Sequence, residues 1–343
     1  MLARRSIRRA LLAASIAAPL AATLAASLAA SLAACGSDAR RRPDSARAAA
    51  ADSGAAAPRD DFGDSVLVPT AAEAARARIV SLNPTTTELL FAVGAGPRLV
   101  GRTHWDAWPD SARLVPDLGD GLRPNVEAVL TARPTLVVLY ASEDNRAAAG
   151  RFRAAGVATL SLKLDRIEQL RRGATLLAAA ALGDGARGRF VADTVAASLE
   201  RVRGATAALP RPTVFWHVWD HPLITIGGGS YMNELVEIAG GRNVYGALPD
   251  VSPQIAMEDL LRRDPDVILA GPEGRRTILA DPAWRPLRAV REGRVLVVDT
   301  SLVGRPSVRL GEAARALATL LHPEAATGAA ARPATRPATG GAR

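Results

Sequence analysis

Four of the five tryptophans and three of the four histidines fall in two short segments, His104-Trp105-Asp106-Ala107-Trp108 and Trp216-His217-Val218-Trp219-Asp220-His221. Indole faces hold large, flat or apolar ligands by stacking and burial. Imidazole and carboxylate groups together are the donor set of an N/O metal site, which here would draw on His104, His217, Asp220 and His221. His217 and His221 are four apart on an expected strand entering a loop, so they do not share a helical face, and no His-x-His or His-Glu-x-x-His pattern occurs. Direct metal ligation is therefore not expected. Haem ligation through one of these histidines is the better-motivated variant, because aromatics would flank a porphyrin. Gly227-Gly228-Gly229-Ser230 resembles a phosphate cradle but lacks the Gly-Lys-Ser/Thr of a P-loop, and Met232 stands where a nucleophile elbow needs its second glycine. It is expected to be a turn with Ser230 as a helix cap. No Ser–His–Asp or paired-carboxylate arrangement is recognisable, so no catalysis, no resident cofactor and no protein metal site are expected.

The elements that would position these residues repeat along the chain. Arg78-Ile79-Val80-Ser81-Leu82 predicts a short strand, followed by Asn83-Pro84. Thr85 with Glu88 predicts a capping box opening a helix through Val93, ended by Gly94 and Gly96. Residues 230–246 repeat this pattern, with Ser230 as cap, a helix from Glu234 to Ala239, and Gly240-Gly241 as the stop. A second module, Asn125 to Leu130, leads through Pro134 into the apolar strand Leu136-Val137-Val138-Leu139. Its counterpart, Met257 to Leu261, leads through Pro265 into Val267-Ile268-Leu269; the step from Glu127 or Glu258 to the proline is seven residues in both. Continuous apolar strands suit parallel sheets covered on both faces. Two modules in the same order, twice, predict two similar α/β lobes.

Between the copies lie two amphipathic patterns. One is marked by Ile167, Leu170, Ala174, Leu177 and Ala181 and stopped by Gly183-Asp184-Gly185; the other is marked by Val191, Val195, Ser198, Leu199 and Val202 and reaches about Ala208. A helix of about 22 residues is roughly 33 Å long, a stiff strut that permits only small closing motions. In open α/β sheets ligands sit at the carboxyl ends of strands, so facing lobes would pool both Trp-bearing ends in one cleft. Trp216, inside a strand, is expected in the core; Trp105, Trp108 and Trp219 are expected in the binding site. The interval between equivalent helices is 39 residues in the first half (Glu88 to Glu127) and 24 in the second (Glu234 to Glu258), and the surplus contains the Trp105 loop, as an added binding loop would.

Composition agrees with a two-lobed globular chain: 343 residues, 48% hydrophobic, 22% charged. A single cysteine excludes a disulfide-stapled scaffold. The net charge of +9 comes from 42 arginines and one lysine, Lys163; four of the arginines lie in the first 34 residues, leaving a mild +5 that makes no case for nucleic acid. Residues 1–34 predict a lipoprotein signal peptide: Arg4, Arg5, Arg8 and Arg9, then an uncharged Ala/Leu stretch ending Leu32-Ala33-Ala34-Cys35-Gly36, with Cys35 as the lipidation site. A signal-anchor helix is the alternative, and either places the folded part outside the cytoplasm. Residues 35–76 are expected to be a disordered tether, 77–165 the N-terminal lobe, 166–209 the helical segment, 210–323 the C-terminal lobe, and 324–343 a disordered tail.

Arg78–Gly101, Asn125–Val138 and the run Val218-Trp219 … Pro222-Leu223 … Thr225 … Gly227 … Ser230 … Glu234-Leu235 … Ala239-Gly240-Gly241 … Asn243-Val244 resemble the cobalamin/iron-siderophore class of bacterial ABC-transporter substrate-binding proteins. The resemblance extends to Arg305-Pro306 … Arg309 and Leu321-His322-Pro323. It implies two α/β lobes joined by one long helix, and a monomer that carries a cobalamin-like or ferric-siderophore-like metal complex to an ABC permease and its ATPase. Haem or another chelate, or an orphan sensor role without transport, are the alternatives. By the same resemblance Glu127 and Glu258 would dock on permease arginines; Asn83, His104, Trp105, Trp108, Trp219, His221 and Arg305 are the candidate ligand contacts. Ser252 precedes Pro253-Gln254 where well-known cobalamin binders have a further cleft tryptophan, a departure that weighs against cobalamin itself.

Overall fold

The structure, a computed structural model, describes residues 57–324; the lipobox around Cys35, most of the expected tether and the expected tail lie outside them. The N-terminal lobe comprises α1 (Ala71–Ala75), β1 (Ile79–Ser81), α2 (Pro84–Ala92), β2 (Leu99–Gly101), α3 (Val126–Thr131), β3 (Leu136–Tyr140), α4 (Glu143–Ala154) and β4 (Ala158–Leu162). Then come α5 (Gln169–Leu182) and the 22-residue α6 (Gly185–Thr206). The C-terminal lobe comprises β5 (Thr213–Trp216), α7 (Tyr231–Ile238), β6 (Arg242–Asn243), α8 (Met257–Arg263), β7 (Val267–Ala270), α9 (Pro272–Ala280), α10 (Arg288–Arg291), β8 (Val295–Val297), α11 (Thr300–Val303) and α12 (Leu310–Leu321).

Both sheets are four-stranded and wholly parallel, with the same order: β2-β1-β3-β4 and β6-β5-β7-β8. The duplicated modules account for this, since the helix–Pro–strand units become α3–β3 and α8–β7 at equivalent places. The apolar runs in β3 and β7 are buried throughout Leu136–Leu139 and Val267–Ala270, as central parallel strands require.

Three apolar clusters form the core. One belongs to the outer side of the N-terminal lobe (Val137, Leu139, Phe152) and one to the outer side of the C-terminal lobe (Phe215, Ile268, Trp284). The third runs between them and takes Leu89 and Val138 from one lobe, Leu235 and Leu269 from the other, and Leu177, Leu199 and Leu317 from α5, α6 and α12. A shared core of this kind cannot be pulled open without exposing apolar surface, at about 25 cal/mol per Å². Gly188 lets α6 lie directly on α5: an added Cβ would meet the Ala174 carbonyl oxygen at 2.0 Å. Gly183, at φ +72°, makes the turn between the two helices.

Two expectations require correction. Residues 57–76, assigned to the tether, are packed on the N-terminal lobe. β4 is an edge strand, and its outer backbone groups need partners. Asp60 Oδ2 accepts the Ser161 N–H at 2.9 Å, the Asp61 N–H donates to the Ser161 carbonyl at 2.9 Å, and Asp61 Oδ2 accepts the Lys163 N–H at 2.7 Å. Arg172 holds Asp61 at 2.6 Å, Arg153 holds Asp64 at 2.7 Å, and Val66 enters the shared core. The segment is therefore a strap over the sheet edge. The second correction concerns α2: its cap is Asn83, whose Oδ1 accepts the Thr85 N–H at 2.8 Å, so Thr85 and Glu88 form no capping box. Gly94 is the left-handed stop at φ +86°, and Gly96 is instead pressed against Phe91.

Candidate functional site: a cleft at the carboxyl ends of both sheets

Two cavities open at the strand ends. One, about 340 Å³, is lined from the N-terminal side by Asn83 and Thr86 after β1, Tyr140 at the end of β3 and Asp165 after β4, and from the C-terminal side by Tyr231 and Arg305. The other, about 330 Å³, is lined by Trp216 to Asp220 after β5, Gly271 to Gly274 after β7, and Thr300 after β8. Gly304 stands in the wall of both, so they are neighbouring compartments of one cleft. This is where open parallel sheets place their ligands. A more open groove of about 580 Å³ between α6 and α12 lies away from the strand ends and shares no residue with either compartment.

Asn83 and Arg305 both line the first compartment, and Trp219 lines the second. Trp105 and Trp219 are 63% and 61% exposed, large apolar surfaces left open to a ligand. Arg305 donates to the Trp105 carbonyl at 3.5 Å, which places the Trp105 loop beside the first compartment. His104 is tilted against Trp105 at 4.5 Å between ring centroids, and the Arg309 guanidinium lies 5.4 Å from the Trp108 ring. The His221 side chain is exposed and lines neither compartment; its carbonyl accepts the Trp219 indole N–H at 3.2 Å. Trp216 is core, as expected. Among the described residues no group of three or more His, Cys, Asp or Glu side chains is placed to hold a metal ion. His217 is walled in: its Nε2 meets Asp220 at 2.8 Å, and a Cβ on Gly274 would lie 2.5 Å from its Nδ1.

Several residues of the cleft carried no distinctive sequence signal. The Tyr140 hydroxyl donates to Asp165 at 2.8 Å and the Tyr231 hydroxyl to the Val303 carbonyl at 2.7 Å; burial raises both phenols, so they stay neutral donors. Glu88, 1% exposed, pairs with Arg305 of the opposite half at 3.5 Å. Burial raises its carboxyl above the ordinary value, with Ser307, Arg305 and Arg309 pulling it back. Glu234, at the matching place on α7, pairs with Arg166 at 2.7 Å, and Arg166 also donates to the Gly228 carbonyl at 3.0 Å. The two halves are thus clasped by two reciprocal Glu–Arg pairs.

Glu127 and Glu258 lie in the first turns of α3 and α8. Both are exposed and have no ion-pair partner among the described residues. Their neighbour Asp259 is different: Arg263 and Arg262 hold it at 2.8 and 3.0 Å and pull its carboxyl down to about 2. One free carboxylate therefore stands at the equivalent position of each lobe.

Comparison with known proteins gives the same picture. The chain is 27% identical over 234 residues to a vitamin B12-binding protein of Photorhabdus laumondii, covering 63% of this chain and 78% of that one. It is 26% identical to an uncharacterized ABC transporter substrate-binding lipoprotein of Bacillus subtilis, covering 72% of this chain and 80% of that one. Among solved structures it is similar to the apo form of the periplasmic heme-binding protein RhuT from Roseiflexus sp. RS-1, with TM-score 0.65 and 25% identity over 73% of this chain and 99% of that one. The two lobes, the cleft at their strand ends and a family match over residues 79–302, well over half of the chain, show that the chain belongs to the Periplasmic binding protein family.

Proposed function

We propose that this protein is the extracytoplasmic, lipid-anchored binding component of an ABC importer, and that it takes a corrinoid- or ferric-siderophore-like metal complex into the cleft. The observation that carries the proposal is the pair of exposed tryptophans, Trp105 and Trp219, each rooted just beyond a strand end of a different lobe. Aromatic faces desolvate the ligand, while Asn83 and Arg305 supply donors to its polar rim and the Tyr140 and Tyr231 hydroxyl oxygens, their protons already given to Asp165 and Val303, can only accept. The metal arrives as part of the cargo, and no resident cofactor is needed. The shared central core and the two Glu–Arg clasps support a mechanism in which closure is small. Cys35 carries the lipid that holds the chain at the membrane, and the strap attaches the tether to the edge of the N-terminal lobe.

Glu127 and Glu258 meet cationic residues of the permease, one on each lobe. Two carboxylates at a fixed separation orient the cleft over the channel mouth and contribute more to encounter rate and register than to raw affinity. A porphyrin complex is the second reading, favoured by the exposed imidazole of His104 lying tilted against Trp105. Tryptophan quenching of the full chain by cyanocobalamin, cobinamide, hemin and ferric siderophores, read beside native mass spectrometry of what co-purifies, distinguishes the readings. Saturable quenching by a macrocyclic or siderophore complex supports the proposal; no quenching by any of the four removes it.

A further inference from the structure

Each half of the molecule carries the dipeptide Trp-Asp just beyond a strand end, Trp105-Asp106 after β2 and Trp219-Asp220 after β5. In both, the indole is exposed and the carboxylate bonds a buried side chain, although Asp220 itself stays 28% exposed. Asp106 is 1% exposed. Its Oδ2 accepts the Thr87 hydroxyl at 2.7 Å and the Thr103 N–H at 3.2 Å, and its Oδ1 accepts the Thr103 hydroxyl at 2.7 Å. These bonds tie the loop to α2 and to the residue entering it. Asp220 bonds the buried His217 through Nε2 at 2.8 Å, and His217 in turn is packed on Trp284 at 5.7 Å and on Gly274. The backbone of Trp219 is paired with Ile224 on the other side of the turn.

We propose that Asp106 and Asp220 are positioning residues: each pins the backbone next to an exposed tryptophan, Trp219 in the wall of the second compartment and Trp105 on the loop beside the first, so that both indoles are presented before a ligand arrives. An exposed indole on an unpinned loop would be ordered only on binding, at a cost taken from affinity. A pinned one has at most two side-chain torsions left to fix, and the Trp219 indole is further held by its bond to the His221 carbonyl. The lobes reach this by different chemistry, two threonine side chains in one and an imidazole in the other, which points to the aspartate and its bond to a buried side chain as the shared device. The occupant is a rigid complex with a broad apolar face, since mobile or small ligands gain little from two prearranged rings. This inference rests on the proposed ligand contacts of Trp105 and Trp219, and its test separates the two.

The full chain labelled with 5-fluorotryptophan gives a fluorine resonance for each of its five indoles, assigned by Trp→Phe variants. Without ligand, Asp106→Ala is expected to shift or broaden the Trp105 resonance and leave Trp219 in place; Asp220→Ala is expected to do the reverse. Asp106→Asn and Asp220→Asn keep an acceptor oxygen and are expected to restore most of the parent spectrum. If Asp106→Ala does not fold, Thr103→Val removes one bond to the same carboxylate and is read instead. Affinity for hemin and for cyanocobalamin then forms a double-mutant cycle. Asp106→Ala is expected to weaken whichever probe binds by about five- to tenfold, and to have no further effect in Trp105→Ala protein. Unmoved resonances overturn the proposal, and so does an equal loss with and without Trp105, which would mark Asp106 as merely structural. If neither probe binds the parent chain, or Trp105→Ala and Trp219→Ala bind as the parent does, the ligand contacts fail and the resonances alone decide the pins.

Discussion

Replacing Arg305 by alanine removes the guanidinium nearest to Glu88, whose carboxylate is 1% exposed and has an Oε2 with no hydrogen-bond partner. Removing one member of a buried pair costs about 3–5 kcal/mol, because the remaining charge is left unpaired. The lower end applies here: the pair is separated by 3.5 Å, Arg305 is 20% exposed, and Arg309 still faces the carboxylate. About 3 kcal/mol corresponds to a fall in Tm of roughly 6–12 °C for a folded unit of this size. The loss depends on pH. Burial already holds Glu88 above its ordinary 4.5 in the folded state, so above that value the folded chain binds more protons than the unfolded one. Such a group costs stability as pH rises through the window and returns it on acidification. Loss of Arg305 raises the folded pKa further and widens the window, so the penalty is largest at pH 8 and shrinks toward pH 5. Urea unfolding of parent and variant at each pH isolates the difference from other titrating groups. Glu88→Gln in the Arg305→Ala background is expected to recover most of the loss at pH 8. A penalty equal at pH 5 and pH 8, or one that Glu88→Gln leaves untouched, refutes the reasoning.

Three further outcomes are expected. Asp60→Ala strips the acceptor from Ser161 on the β4 edge and from the turn N–H groups of Phe62 and Asp64, and costs about 2–3 kcal/mol in chemical denaturation; an unchanged midpoint would mean that the strap is not held there. Gly188→Leu forces α6 away from the Ala174 carbonyl and is expected to lower Tm by more than any exposed substitution on the same helix, checked by calorimetry. Glu127→Arg with Glu258→Arg is expected to spare ligand binding and thermal stability while reducing permease-dependent uptake at least tenfold, roughly 1.4 kcal/mol.

The duplicated architecture was legible because its signals are local. Ser230 at a cap, Gly94, Gly183 and Gly240 at left-handed positions, and the apolar runs of β3 and β7 all act on residues close in the chain. Their partners β4, β6 and β8 carry less pattern, and β6 has only two residues. The strap was missed because its aspartates bond groups on β4 and α5 about a hundred residues away, and acidic residues among Ala, Ser and Pro look like solvated chain. Glu88 was misassigned for a related reason. A Thr-x-x-Glu spacing satisfies a local rule, yet Asn83 took the cap and the fold brought Arg305 from the far end of the sequence. The Trp/His cluster of residues 216–219 lines the second compartment, whereas His104, Trp105, Trp108 and His221 line neither; Tyr140, Asp165 and Tyr231, each ordinary in its own segment, became visible only when the sheets set their strand ends together.

The proposed function requires both halves of the molecule to contribute to holding the guest, and equilibrium titration of three variants measures that most directly. With the probe that quenches the parent chain, Trp105→Ala and Trp219→Ala are each expected to weaken affinity by about 1–2 kcal/mol, and the double variant by at least the larger of the two. A double variant that binds as tightly as the parent would contradict the account.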